Sequence, residues 1–503
     1  MRGSLKLKLS GSKMDIMHLY FGKASAESEI AADSERFLNT YLDRWDLLRQ
    51  VGSHEKFLIL GPKGSGKSAA AYYVELSWKK ELGENRVFAD FVDFDDLNKS
   101  STPLSAIDKK IVSEQISSPT ETAWKLFIGV KLLESLVRDH ACSLSADPQV
   151  LKLLRDMSDA GLASDDYPKV LRRVRERRAG INLRVLSGER KSKEEAELLS
   201  PAQLAEAIMG MICQAGTPNR HLLSINGLDK AIGDNDAYWR TCAALIRVGA
   251  KICHELQVAG NRSIYLLIMC RSDVFRRIIF ADSQKIAADR GVHMEWGAEA
   301  RNALDVTLWE YIARKAGIET SELFSLFPKF VYVGKGGKRP IELPKYLLDF
   351  TRYTPRDMSQ LFDSVRSRAV AYQPLTGEQV RSGADYFATF SLLHEIMSEA
   401  KGLLPDVVVN RLEQIISTLP AVRFDSEDLK ASLEQAEVLD SVSLMDFAEY
   451  LFLQGAVGNY RRGTGYVQFY HRRNTATFDR HGPWVLHTGL AYALNIPFSS
   501  IRK

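Results

Sequence analysis

Apolar positions along the chain follow two rhythms. Short runs of strand length are separated by longer stretches with helical spacing; the runs are Phe57-Leu58-Ile59-Leu60, Arg86-Val87-Phe88-Ala89-Asp90-Phe91-Val92-Asp93, His221-Leu222-Leu223-Ser224-Ile225 and Ser263-Ile264-Tyr265-Leu266-Leu267-Ile268-Met269-Cys270. That alternation, continuing to about residue 297, predicts an α/β domain with a parallel sheet covered on both faces. From about 120 to 217 the pattern turns mostly helical, which predicts an insertion larger than a simple crossover. Ahead of the first strand, Phe37, Tyr41, Trp45 and Leu48 recur every three or four residues and predict a helix whose buried stripe packs on the sheet domain. Residues 300–314 and 344–370 read as helices of a small lid, the second preceded by the loop Gly334-Lys335-Gly336-Gly337-Lys338. After about 374 come amphipathic helices and then an apolar helix at 444–454. The segment Gly455-Ala456-Val457-Gly458-Asn459 follows it, then two strands at 466–470 and 484–487. A helix followed by a two-stranded hairpin is a winged-helix layout. The expected organisation is thus an arm and helix at 1–50, a sheet core at 51–299, a lid at 300–373, and a helical linker with winged helix at 374–503.

Length agrees with several domains, since 503 residues exceed what one core can serve. No stretch reaches the roughly 20 apolar residues of a membrane-spanning helix, and the basic start, Met1-Arg2-Gly3-Ser4-Leu5-Lys6-Leu7-Lys8, lacks the apolar centre of a signal peptide. Five scattered cysteines show no metal-ligand spacing and suit a reducing cytoplasm. The formal charge of +4 is small for the length, so local clustering carries more meaning.

The chemistry concentrates directly after the first apolar run. Gly61-Pro62-Lys63-Gly64-Ser65-Gly66-Lys67-Ser68 is a complete G-x-x-x-x-G-K-[ST] loop, with Ala69 beginning a breaker-free helical stretch. Such a turn directs backbone N–H groups into one concavity, where they hold the β- and γ-phosphates of a nucleotide. Lys67 then lies along the phosphate oxygens and the Ser68 hydroxyl coordinates Mg²⁺, so the expected cofactors are ATP and Mg²⁺. The third strand runs into Ile225-Asn226-Gly227-Leu228-Asp229. Asn226 stands where the first carboxylate of a hydrolytic site is expected, and an amide brings no negative charge to the metal. Asp229 is the candidate for the hydrolytic acid and for a water-mediated metal contact; the alternative is a turn or cap residue. Arg271, at the end of the next strand, is placed to sense the γ-phosphate or to pair with Asp273. Arg356, in Pro355-Arg356-Asp357 at a lid helix start, is a second sensor candidate.

Two basic clusters could meet nucleic-acid phosphates. One, at 169–193, includes Arg172, Arg173 and Arg175; its plainer reading is a solvated helix face. The other gathers Arg461, Arg462, Arg472 and Arg473 with Tyr460 and Tyr466 around the wing. Winged helices also serve as protein-contact modules, so a protein partner or a second copy of the chain is an equal expectation. His487 reads as a hydrogen-bonding residue.

The phosphate loop, Gly227-Leu228-Asp229, Arg271-Ser272-Asp273, Pro355-Arg356-Asp357 and the terminal Leu-x-x-x-Gly-x-x-Gly segment, taken in this order, resemble a family of bacterial phosphate-loop ATPases. These have an AAA+/STAND-like (KAP-like) core and a C-terminal winged helix. The resemblance covers most of the chain and implies a nucleotide-dependent switch, associated in bacteria with defence against phage or with mobile DNA. Asn226 departs from the family pattern. Two other functions remain open: a nucleotide-loaded DNA-binding or scaffold module with little turnover, and a nucleic-acid motor or loader.

Overall fold

In the computed structural model five parallel strands form one sheet: β1 Leu58–Gly61, β2 Val87–Asp93, β3 Arg220–Asn226, β4 Ile264–Arg271 and β5 Gly291–His293, in the order β2-β3-β4-β1-β5. The structure describes residues 15–93, 118–163, 165, 167–175, 181–182, 198–227, 236–278, 280–297, 300–334, 337–401, 403–472 and 476–498. The chain divides into two compact units, one of residues 43–295 with 401–403 and one of 1–42, 296–400 and 404–503.

In the first unit, β1 and β4 are buried along their whole length, which is why they read as unbroken apolar runs rather than alternating ones. Side chains still alternate between faces. Val92, Leu223, Ile225, Ile268, Cys270 and Leu60 join a core built by helices Ser118–Arg138, Pro201–Gln214 and Asp236–Val258. The opposite face carries the helix Lys67–Leu82: Tyr72 stacks on Phe91 with ring centroids 5.0 Å apart, and Trp78 lies 4.6 Å from Tyr265. The insertion is helical as expected, with Trp124 stacked on Tyr167 at 3.7 Å and a short ladder pairing Ile181–Asn182 with Leu198–Leu199. Strand β5 has no signal of its own; three residues become a strand only because β1 offers its free edge.

The second unit corrects three local expectations. The stripe from Phe37 to Leu48 is not one helix: Ala26–Thr40 ends before Tyr41, Asp46 takes a positive φ of 51°, and helix resumes at Leu47–Gly52 in the first unit. The N-terminal helix belongs to the lid instead, through a buried Glu29–Lys315 ion pair, with Phe21 packed on Phe362 just ahead of it. The lid stretch at 344–370 is two helices, Leu343–Leu348 and Pro355–Arg366, and the Gly/Lys loop lies between strands β6 Phe330–Val333 and β7 Arg339–Glu342.

Farther on, helices Leu412–Ser417, Ser426–Gln435 and Leu444–Leu453 combine with β8 Arg423–Phe424, β9 Val457–Arg461, β10 Tyr466–Phe469 and β11 Trp484–Leu486. The antiparallel order β8-β11-β9-β10 is a winged helix with an extra strand inserted in its wing. The expected pairing of 466–470 with 484–487 does not form. Both strands pair with β9, whose glycines had read as a turn. Gly458 is small for packing: a Cβ there would come within 2.9 Å of Val467 and 3.0 Å of Phe469.

Candidate nucleotide site

Two glycines bend the loop between β1 and its helix, Gly64 at φ 79° and Gly66 at φ 98°. A Cβ on Gly66 would meet nothing within 4 Å, so glycine is required there by conformation, and the hollow beside it stays open. The Ser65 N–H donates to Pro62 O at 3.2 Å and closes the turn. Lys67 opens a helix of 16 residues whose amino end has no side-chain cap, which directs backbone amides and the positive end of the helix dipole toward the loop. Its ammonium is folded inward, donating to Gly61 O at 3.2 Å and Pro62 O at 3.1 Å, with 6% of the residue exposed. These carbonyls hold the charge at the hollow. Ser68 and Ala69 follow in the first turn, both half-buried.

The carboxyl edge of the sheet meets this loop. Gly61 is in register with Arg271 on the neighbouring strand, and Arg271 projects from the same face as the loop helix. Its guanidinium forms a buried two-pronged pair with Asp273, at 2.9 Å and 2.7 Å. The expected pairing with Asp273 forms, and strand register sets this arginine beside Gly61 of the loop. Asn226 ends β3, and its register partner on β2 is Asp93. Asp229 lies outside the described residues. Sequence reasoning took Asp93 only as the end of a strand; register with Asn226 was the signal it could not supply.

Arg356 lies in the second unit, donating to Ala24 O at 2.9 Å and Glu395 Oε1 at 2.6 Å. The segment leading to it is knitted to the winged helix. Arg472 donates to Asp349 Oδ1 at 2.8 Å, and His487 Nε2 bonds Thr351 O at 3.1 Å while its Nδ1 accepts from Gly489 N–H. Arg352 is buried against Glu399, and its backbone N–H donates to Asp357. Burial pushes the Asp357 carboxyl up, opposed by Arg352. The lid and winged helix thus share polar contacts across buried ground, and His487 has the hydrogen-bonding role expected of it.

The residues present suit Mg²⁺·ATP. Open amides and an ammonium match phosphate oxygens, and one hydroxyl matches a metal that takes its remaining ligands from phosphates and water. Among the described residues no group of three or more His, Cys, Asp or Glu side chains could hold a metal ion on its own.

The basic clusters divide. Arg172 and Arg173 lie on the exposed face of helix Tyr167–Arg175, whose other face buries Tyr167, Val170, Leu171 and Val174. The side chain of Arg175, and Arg473, lie outside the described residues. Arg461 and Arg462 are exposed at the wing, whereas Arg472 is drawn onto Asp349 and the faces of Tyr353 and Phe469. The helix Leu444–Leu453, which a DNA-reading winged helix would lay in the groove, carries Asp446 and Glu449 and no basic residue. Among the described residues no helix is long and apolar enough to cross a membrane.

No family model and no curated protein matches the chain. Among solved structures it is similar to the Aeropyrum pernix Orc1 protein in complex with DNA, with TM-score 0.36 and 10% identity over 92% of this chain and 96% of that one. A likeness of that size carries no functional argument; the α/β fold rests on strand order and loop geometry.

Proposed function

We propose that the protein is an ATP·Mg²⁺-binding switch of AAA+/STAND type that hydrolyses its nucleotide. The observation that carries this reading is the strand–loop–helix joint at 58–82, with its two positive-φ glycines, inward Lys67 and Arg271 in register with Gly61. Bound ATP supplies the phosphoryl group to be transferred. The loop amides and Lys67 hold its β/γ oxygens, Ser68 orients the metal's ligand shell, and Arg271 stabilises charge on the γ-phosphate. Asp229 activates water. ATP can shift a conformational equilibrium of the chain only by its differential affinity for the two states. Moving a population from 1:99 to 99:1 requires about 5.5 kcal/mol, within reach of two or three charge-assisted hydrogen bonds of about 1.5–3 kcal/mol each.

The test is ATP and ADP binding by calorimetry for the protein and for Lys67→Ala. Loss of the ammonium should weaken ATP binding by about 10- to 150-fold; unchanged affinity would sink the assignment. Asn226 favours a second reading, a nucleotide-loaded module with little turnover, in which ATP binds and phosphate release stays near background. Exposed Arg461 and Arg462 support a nucleic-acid contact at the wing, and Arg172, Arg173 and Arg175 a contact at the insertion. Removing two phosphate-contacting arginines should lower the salt slope of binding by about 2. Resemblance to bacterial defence ATPases supports a role against phage; plaque counts on cells carrying the protein or its Lys67→Ala variant test it.

A further inference from the structure

The sheet register places a carboxylate where the site lacks one. Asn226 brings no charge to the metal end, yet the residue paired with it across β2 and β3 is Asp93. Neighbours in register on parallel strands project from the same face, about 4.8 Å apart. That face is the one covered by the loop helix, because Phe91, two residues before Asp93, stacks on Tyr72 at 5.0 Å. From Tyr72 back to Ser68 is one helical turn, about 6 Å toward the carboxyl edge. From Phe91 to Asp93 is two strand residues, about 6.6 Å in the same direction. The two steps run side by side, so Asp93 and Ser68 stand at one level along the strand direction, on facing elements. Asp93 is half-buried there.

We propose that Asp93 is the positioning carboxylate of the nucleotide site, accepting hydrogen bonds from water bound to the Ser68-coordinated Mg²⁺ and supplying the negative charge that Asn226 cannot. The inference rests on the reading of 61–68 as an ATP·Mg²⁺ loop. It relocates the anionic partner of the metal from the third strand to the second. A site built this way has Asn226 as a neutral donor and acceptor between Asp93 and the phosphates, and its metal affinity depends on Asp93.

The experiment uses the full chain and follows ATP binding while Mg²⁺ is titrated. In Asp93→Asn, which keeps shape and removes charge, the half-saturating Mg²⁺ concentration should rise by about 10- to 100-fold, while ATP affinity measured in EDTA stays within about threefold. The double variant Asp93→Asn/Asn226→Asp moves the carboxylate across one strand and should recover most of the Mg²⁺ response and of the phosphate-release rate. An unchanged Mg²⁺ titration in Asp93→Asn overturns the proposal. A double variant as weak as the single one does so too, since it makes Asp93 a structural residue. If the unaltered protein binds no ATP, the underlying reading of the loop fails instead, and the EDTA arm separates that outcome from failure of Asp93 alone.

Discussion

Replacing Asp273 by Ala tests whether Arg271 faces the γ-phosphate. Asp273 holds Arg271 through two hydrogen bonds, at 2.9 Å and 2.7 Å, with 7% and 3% of the two residues exposed. Removing one partner of such a pair leaves a buried charge poorly compensated, at a cost of about 3–5 kcal/mol. The first unit spans residues 43–295, a size at which 1 kcal/mol moves Tm by about 2–4 °C. The nucleotide-free variant should therefore melt about 6–20 °C lower. ATP at about 100 times its Kd adds about 2.7 kcal/mol to any protein it binds. In the variant its γ-phosphate also takes over the compensation that Asp273 gives Arg271 in the unaltered protein, strengthening that contact by about 1.5–3 kcal/mol. Scanning calorimetry with ATP and with ADP, at matched saturation, reads the difference. The excess of the ATP shift over the ADP shift should grow by about 3–12 °C in Asp273→Ala. Equal excess in both proteins would show that Arg271 does not meet that phosphate, and an unchanged Tm would refute the burial argument itself.

Gly66→Ala must hold an L side chain at φ 98°, a strain of roughly 1–2 kcal/mol; we expect the loop to relax and ATP affinity to fall about tenfold, read by calorimetry. Asp139 is buried among donors from Thr217, Asn219, Ala141 N–H and His221. Asp139→Ala should destabilise the first unit on the order of 3 kcal/mol in urea unfolding. Burial pushes the Asp139 carboxyl up, but hydrogen bonds from Thr217, Ala141 N–H, Asn219 and His221 outweigh it and hold it below its ordinary value. Its stabilisation is thus present above the unfolded carboxylate range and disappears as pH falls through the folded value. For His487, burial lowers the imidazole to about 4, below the unfolded value of about 6.5. The unfolded state binds the extra proton between these values, so stability falls as pH drops through that window, by about 3 kcal/mol in full. His487→Gln should flatten the pH dependence of melting between pH 7 and 5; an unaltered slope would count against it.

How much was legible beforehand depended on whether the information was local. The loop 61–68 and the runs at β1 and β4 are contiguous, so glycine conformation and burial on both faces wrote them into the sequence. Two of the winged-helix strands, 466–470 and 484–487, were legible as strands, but β8, β9 and the pairing were not: Gly455 and Gly458 signal turns locally, and only contact with Val467 and Phe469 makes Gly458 part of β9. The stripe at 37–48 failed for a similar reason: periodicity is blind to a chain that leaves one unit for another at Leu42.

The sequence by itself determined that a glycine-bent loop of G-x-x-x-x-G-K-[ST] pattern joins a strand to a helix, since this follows from residues adjacent along the chain. Tertiary structure alone decided which residues stand beside one another at the carboxyl edge of the sheet. Arg271 meets Gly61 across about 210 residues of chain, and Asp93 meets Asn226 across about 130, through strand register. Register depends on how whole faces of the sheet pack, with the Lys67–Leu82 helix on one side and the insertion on the other. No local pattern encodes it.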